Sequence, residues 1–121
     1  MKKIPRVLAL FVAVGTLLAA TGCTAKTTGR DYTVAVITKA TDSDFWNNVY
    51  KGVNAASTEY NVDTIFMGPE SENDYAAQNR MIQDAVKDGA DVIVLSAIDY
   101  NLTAPCVSEA IAAGVPVIMI D

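Results

Sequence analysis

The amino-acid sequence predicts an α/β fold, a three-layer open parallel sheet whose chain stops after its fourth strand. Three observations carry that prediction. After residue 31, short β-branched runs alternate with longer amphipathic runs. A helix end, a glycine and an apolar strand follow one another twice, as Asp88-Gly-Ala-Asp-Val-Ile-Val-Leu95 and Ala113-Gly-Val-Pro-Val-Ile-Met-Ile120. The strand at 92–95 is unbroken and apolar, as suits a parallel sheet covered on both faces.

The elements read in order as follows. Residues 33–38 form a first buried strand. A helix then opens with Ser43 as its N-cap and Asp44 in its first turn, where an acid suits the dipole. Phe45, Val49, Gly52, Val53, Ala56 and Tyr60 recur along it at helical spacing and mark its inner face. A glycine in mid-helix costs stability, so Gly52 predicts close packing on the sheet. A second strand at 62–67 is broken by Gly68-Pro69. Asn73 is the expected N-cap of a helix reaching Lys87, with Tyr75, Gln78, Ile82, Ala85 and Val86 inward and Gly89 at a left-handed cap. The strand at 92–95 leads to a loop at 96–101 and a helix at 103–113. That helix has Pro105 in its first turn, and Val107, Ala110 and Ile111 face inward. Gly114 caps it, Pro116 opens the strand at 117–120, and Asp121 follows. Right-handed βαβ crossovers would gather the loops after the strands on one edge.

The 121 residues allow one domain at most. They are 51% hydrophobic with a mean hydropathy of +0.25, which argues against disorder. Residues 1–30 hold five basic residues and no acid, whereas 31–121 hold four basic and all 14 acidic residues. An acidic body lacks the basic face that nucleic acid requires, and solubility alone can explain the acidity. Histidine is absent, which removes the commonest general base and metal ligand.

Residues 1–23 read as a signal peptide: a basic Met1-Lys-Lys-Ile-Pro-Arg6, then an apolar stretch of 14 residues, too short to span a bilayer. The ending Leu17-Leu-Ala-Ala-Thr-Gly-Cys23 resembles the bacterial lipobox, in which the cysteine is lipidated and becomes the N-terminus. A lipid on Cys23 would hold the protein at a membrane surface. An ordinary signal peptide with a chance cysteine is the plainer alternative. Residues 24–30 read as a flexible polar tether and 31–121 as the body. Cys106 reads as a small core or boundary residue.

The segment Thr41-Asp42-Ser43-Asp44-Phe45-Trp46 lies at the carboxyl end of the first strand, where open parallel sheets bind ligands. Its hydroxyl, carboxylates and two rings suit a sugar. Rings cover apolar C–H faces, and carboxylates accept paired hydroxyl hydrogen bonds. Each residue also has a plainer role. Phe45 falls in the core register, while Trp46 is off it. Asp44 serves the dipole and Asp42 a turn. Asp99 and Asn101 suit a turn and a cap, Asp121 a strand end, and Lys39 either a ligand or solvent. No catalytic residue, cofactor motif or metal-ligand spacing is visible: there is no Gly-x-Gly-x-x-Gly after a strand, no P-loop and no Cys/His pattern.

Four stretches carry a family resemblance: Asp44-Phe-Trp-Asn-Asn-Val-Tyr-Lys-Gly-Val53, Gln78 to Gly89, Gly89-Ala-Asp-Val-Ile-Val-Leu-Ser96, and Ala113 to Asp121. In this order, residues 32–121 resemble the first lobe of type I periplasmic binding proteins, the ribose/galactose-type solute receptors of ABC importers. The resemblance implies a Rossmann-like lobe of a two-lobed clamp that closes on a sugar and delivers it to a permease. It implies a polar contact from Ser43, ring stacking by Phe45 and Trp46, and hydroxyl binding by Asp121. It also implies that the chain is a fragment lacking the second lobe, binding sugar weakly or not at all by itself. A sensory lipoprotein signalling to a chemoreceptor or membrane histidine kinase would look the same here. A sugar-responsive transcription regulator would need a basic helix-turn-helix where the signal peptide stands.

Overall fold

The computed structural model describes residues 29–121. The signal peptide reading, lipidation at Cys23 and residues 24–28 of the expected tether lie outside the described residues. The chain runs β1 (Thr33–Ile37), α1 (Asp44–Tyr60), β2 (Asp63–Met67), α2 (Tyr75–Lys87), β3 (Val92–Leu95), α3 (Tyr100–Ala112) and β4 (Val117–Met119). All strand pairs are parallel, in the order β2-β1-β3-β4.

That order dictates the layers. The step from β1 to β2 runs one way across the sheet, and the next two steps run the other way. Right-handed crossovers therefore put α1 on one face and α2 with α3 on the other. Side chains alternate accordingly. Ala35, Ile37, Ile93 and Leu95 pack with Ile82, Ala85 and Ala110 into the main core. Val34, Val36 and Val94 face α1 beside an apolar groove of about 560 Å³. No helix among the described residues is long and apolar enough to cross a membrane.

Several local expectations change. Gly52 is exposed, and a Cβ there would meet nothing within 4 Å, so it marks no close packing. Gly68 is the tight position instead. A Cβ would lie 2.7 Å from Thr38 Oγ1 and 3.0 Å from the Ala40 carbonyl carbon. Asp74, not Asn73, caps α2 by accepting from the Ala77 N–H at 2.8 Å. Both residue types can cap, and adjacency hid which one does. Asp99 caps α3 by accepting from the N–H groups of Asn101 and Leu102, which starts the helix three residues early. Pro105 consequently stands in the second turn and, lacking an N–H, offers no helical donor to the Asn101 carbonyl. Ile111 and Tyr75 are exposed rather than inward. Gly89 and Gly114 have φ of 83° and 90°, the left-handed geometry expected of them. Cys106 is half-buried, and burial first, then Glu109, pushes its thiol pKa up.

Arg30, the last residue of the expected tether, is docked. Its guanidinium donates to Ser57 Oγ at 2.8 Å and to the Val62 carbonyl at 3.1 Å, and lies 3.4 Å from Asp63 Oδ1.

Candidate functional site

The loops after β1, β2 and β3, and residue 121 after β4, share the carboxyl edge of the sheet. The loop after β1 feeds α1 on one face, and the loop after β3 feeds α3 on the other. The topological switch point, where such folds bind ligands, is therefore between β1 and β3.

Lys39 leaves β1 and Asp121 follows β4, with β3 between those strands. Their side chains meet at 2.7 Å from Nζ to Oδ2. The hydrogen bond from Lys39, then its charge, hold the Asp121 carboxyl below its ordinary pKa, against a smaller opposing loss of hydration. The Ser96 hydroxyl, buried at the end of β3 with no partner at bonding distance, adds the smallest pull. Lys39 was open between ligand and solvent on sequence alone; its partner lies 82 residues away, beyond any local pattern.

Ser43 caps α1, its Oγ accepting from the Trp46 N–H at 3.3 Å from an extended backbone. The two rings exchange the roles that periodicity suggested. Trp46 is 3% exposed, whereas Phe45 is 64% exposed. The inner face of α1 reads Trp46, Val49, Val53, Ala56 and Ser57, one step round from the Phe45 register. The Trp46 indole N–H donates to Glu72 Oε1 at 2.8 Å, which ties the start of α1 to the loop after β2. A buried indole N–H needs such a partner. Glu72, in the loop after β2, had no signal in the sequence. Phe45 stands edge-on to Trp46, with centroids 4.8 Å apart and planes at 81°.

Ser43, Phe45 and Trp46 thus sit on the segment that begins with Lys39, and Lys39 reaches Asp121. The edge carries open rings, Phe45 and Tyr100 among them, a paired carboxylate and ammonium, and a buried hydroxyl with unused capacity. These groups can cover an apolar face and accept or donate hydroxyl hydrogen bonds. Asp99, by contrast, is committed to capping α3, and Asp42 and Asp44 are exposed.

Residues 34–121 match the periplasmic binding protein domain family. The chain is similar to the D-apiose import binding protein of Paraburkholderia graminis, 31% identical over 121 residues, covering all of this chain and 37% of the relative. It is also similar to the ribose import binding protein of Bacillus subtilis, 23% identical over 92 residues, covering 76% of this chain and 30% of the relative. Among solved structures, a sugar transporter from Clostridium phytofermentans superposes with a TM-score of 0.72 at 41% identity, covering 74% of this chain and 34% of that one. An ABC transporter solute binding protein from Agrobacterium vitis with bound D-fucose does so at 0.71 and 38%, covering 74% and 31%. The chain spans about a third of the length of the curated relatives it matches.

Proposed function

The chain belongs to the periplasmic binding protein domain family, and from that premise we propose that it is part of an extracytoplasmic receptor capturing a neutral monosaccharide for an ABC importer. The observation that supports this best is the make-up of the carboxyl edge, where an exposed Phe45 stands in the first turn of the helix that Lys39's loop leads into, and Lys39 pairs with Asp121. In this reading Phe45 covers a C–H face of the sugar, and Trp46 backs it from below. Asp121 accepts hydroxyl hydrogen bonds, and the Ser43 hydroxyl donates one. The Lys39 charge balances Asp121, so the mouth suits an uncharged ligand better than a cation. Importers of such ligands supply the permease partner that the named relatives imply. The basic start and Cys23 support export with lipid anchoring at the outer face of the cell membrane.

Trp46 is the only tryptophan, so its emission reports on the mouth. In a protein extended to the length of the matched relatives, one pentose or hexose should change that emission saturably. Silence across a broad neutral-sugar panel would sink the reading. The present chain alone should bind at about millimolar strength or weaker, since the opposite wall of a two-lobed cleft is not within it. Tight binding by calorimetry would contradict that.

A further inference from the structure

The strands β1 and β3 part company at the mouth. Their last shared ladder bond runs from the Ser96 N–H to the Ile37 carbonyl at 2.9 Å, and the N–H of Thr38, the residue after β1, donates to the Met67 carbonyl on the β2 side, the alternation of a central strand. Two carbonyls, of Thr38 and Ser96, are left in a buried gap, because both residues are fully buried. Unpaired buried carbonyls cost free energy. The side chain of Gln78, itself fully buried on α2, occupies this gap. Its Nε2 donates to the Thr38 carbonyl and to the Ser96 carbonyl, each at 2.9 Å. Its Oε1 accepts from the Ile98 N–H, also at 2.9 Å.

We propose that Gln78 is a positioning residue for the mouth: its carboxamide sets the spacing between the loops after β1 and β3, and through Thr38 it sets the approach of Lys39 to Asp121. The chemistry of the gap selects glutamine. It needs two donors and one acceptor in a plane, at the reach of two methylenes from an α2 backbone. Glutamate when charged offers no donor to two carbonyls. Methionine fills the volume but satisfies nothing, and asparagine is a methylene short. The gap coincides with the switch point between β1 and β3, so a side chain that spaces these loops spaces the floor of any ligand there. Lys39 directly follows Thr38, and the Ile120 N–H before Asp121 donates to the carbonyl of Leu95, next to Ser96, at 3.0 Å, so both flanks of the ion pair adjoin residues held by one amide group. The inference deepens the receptor reading and rests on it for the purpose of the mouth, but its geometry is testable with no ligand present.

The test follows the Asp121 side-chain carboxylate by NMR titration in the full chain, native and Gln78→Met. Loss of the carboxamide should free the loop after β1, let Lys39 withdraw and move the Asp121 titration up toward the ordinary carboxylate range. The Ile98 amide should exchange about tenfold faster with one hydrogen bond gone. A merely structural role would lower the melting temperature and leave the Asp121 titration where it was; that result in a folded variant overturns the proposal. Should Gln78→Met not fold, the native protein decides. Slow exchange of both Gln78 side-chain amide protons and of the Ile98 amide supports the clamp, and free exchange of either overturns it. A sugar panel that leaves Trp46 silent would sink the receptor reading without touching any of these signals.

Discussion

The two rims of this sheet are built from similar polar residues and end in opposite states. At the amino rim the groups consume one another. Arg30 donates to Ser57 and to the Val62 carbonyl, and Ser57 Oγ donates to that same carbonyl at 2.8 Å. The Thr33 N–H donates to Asp91 Oδ2 at 2.7 Å, while the Asp91 N–H returns to the Thr33 carbonyl. At the carboxyl rim the backbone is equally tied down, through Gln78 and through Thr38 Oγ1, which donates to the Ala40 carbonyl at 2.6 Å. Yet Phe45 is open, the Lys39–Asp121 pair faces solvent, and the Ser96 hydroxyl has no partner. A rim with a tied-down frame and solvent-facing side chains is what a binding surface requires, because preorganised groups lose little freedom on contact. A rim whose polar groups pair with one another closes the fold.

The contrast can be broken most forcefully at Gly68. Gly68→Val should push Thr38 and Ala40 out of place, destabilise the protein by about 2–3 kcal/mol and lower the melting temperature. Unchanged melting would mean that the frame of the carboxyl rim is soft. Phe45→Ala should leave melting nearly unchanged, because the ring is mostly exposed. In a sugar-binding form it should cost about 1 kcal/mol or more of affinity by calorimetry. Arg30→Ala should do the reverse, losing about 1 kcal/mol of stability with sugar affinity intact; a drop in affinity would erase the distinction between rims. Lys39→Met has the smallest effect on stability. It should raise the Asp121 titration to the ordinary carboxylate range, so the acid limb of sugar binding moves to higher pH. The sign follows from the pairing. The folded carboxyl is held below its unfolded pKa, so the pair contributes above the unfolded value and its contribution is lost as pH falls through the folded one. An acid limb that stays put would remove Asp121 from the binding surface.

Most of the frame was legible in the sequence. Short β-branched and apolar runs located all four strands, and Gly89 and Gly114 marked the turns before the last two. Gln78 was readable as an inward residue of α2, because it shares a stripe with Ile82 and Ala85. Its partners were not, since they lie 40, 18 and 20 residues away in two loops. Phe45 and Trp46 were misassigned between core and surface for a related reason. Neighbours on a helix differ by about 100°, and the part-buried Val49, Val53 and Ala56 lie within a quarter turn of both rings, so either ring could head the stripe they form. Glu72 broke the tie by giving the indole N–H a partner, and no local pattern reports that. The ion pair of Lys39 with Asp121 was hidden in the same way, by distance along the chain.

The docking of Arg30 has an orienting consequence. Six residues lie between it and Cys23, so the two are about 25 Å apart at full stretch. With a lipid on Cys23, the rim held by Arg30 would be the one moored toward the bilayer. The strands would then rise away from it, and Phe45 and Asp121 would look outward to meet passing solute rather than down into headgroups.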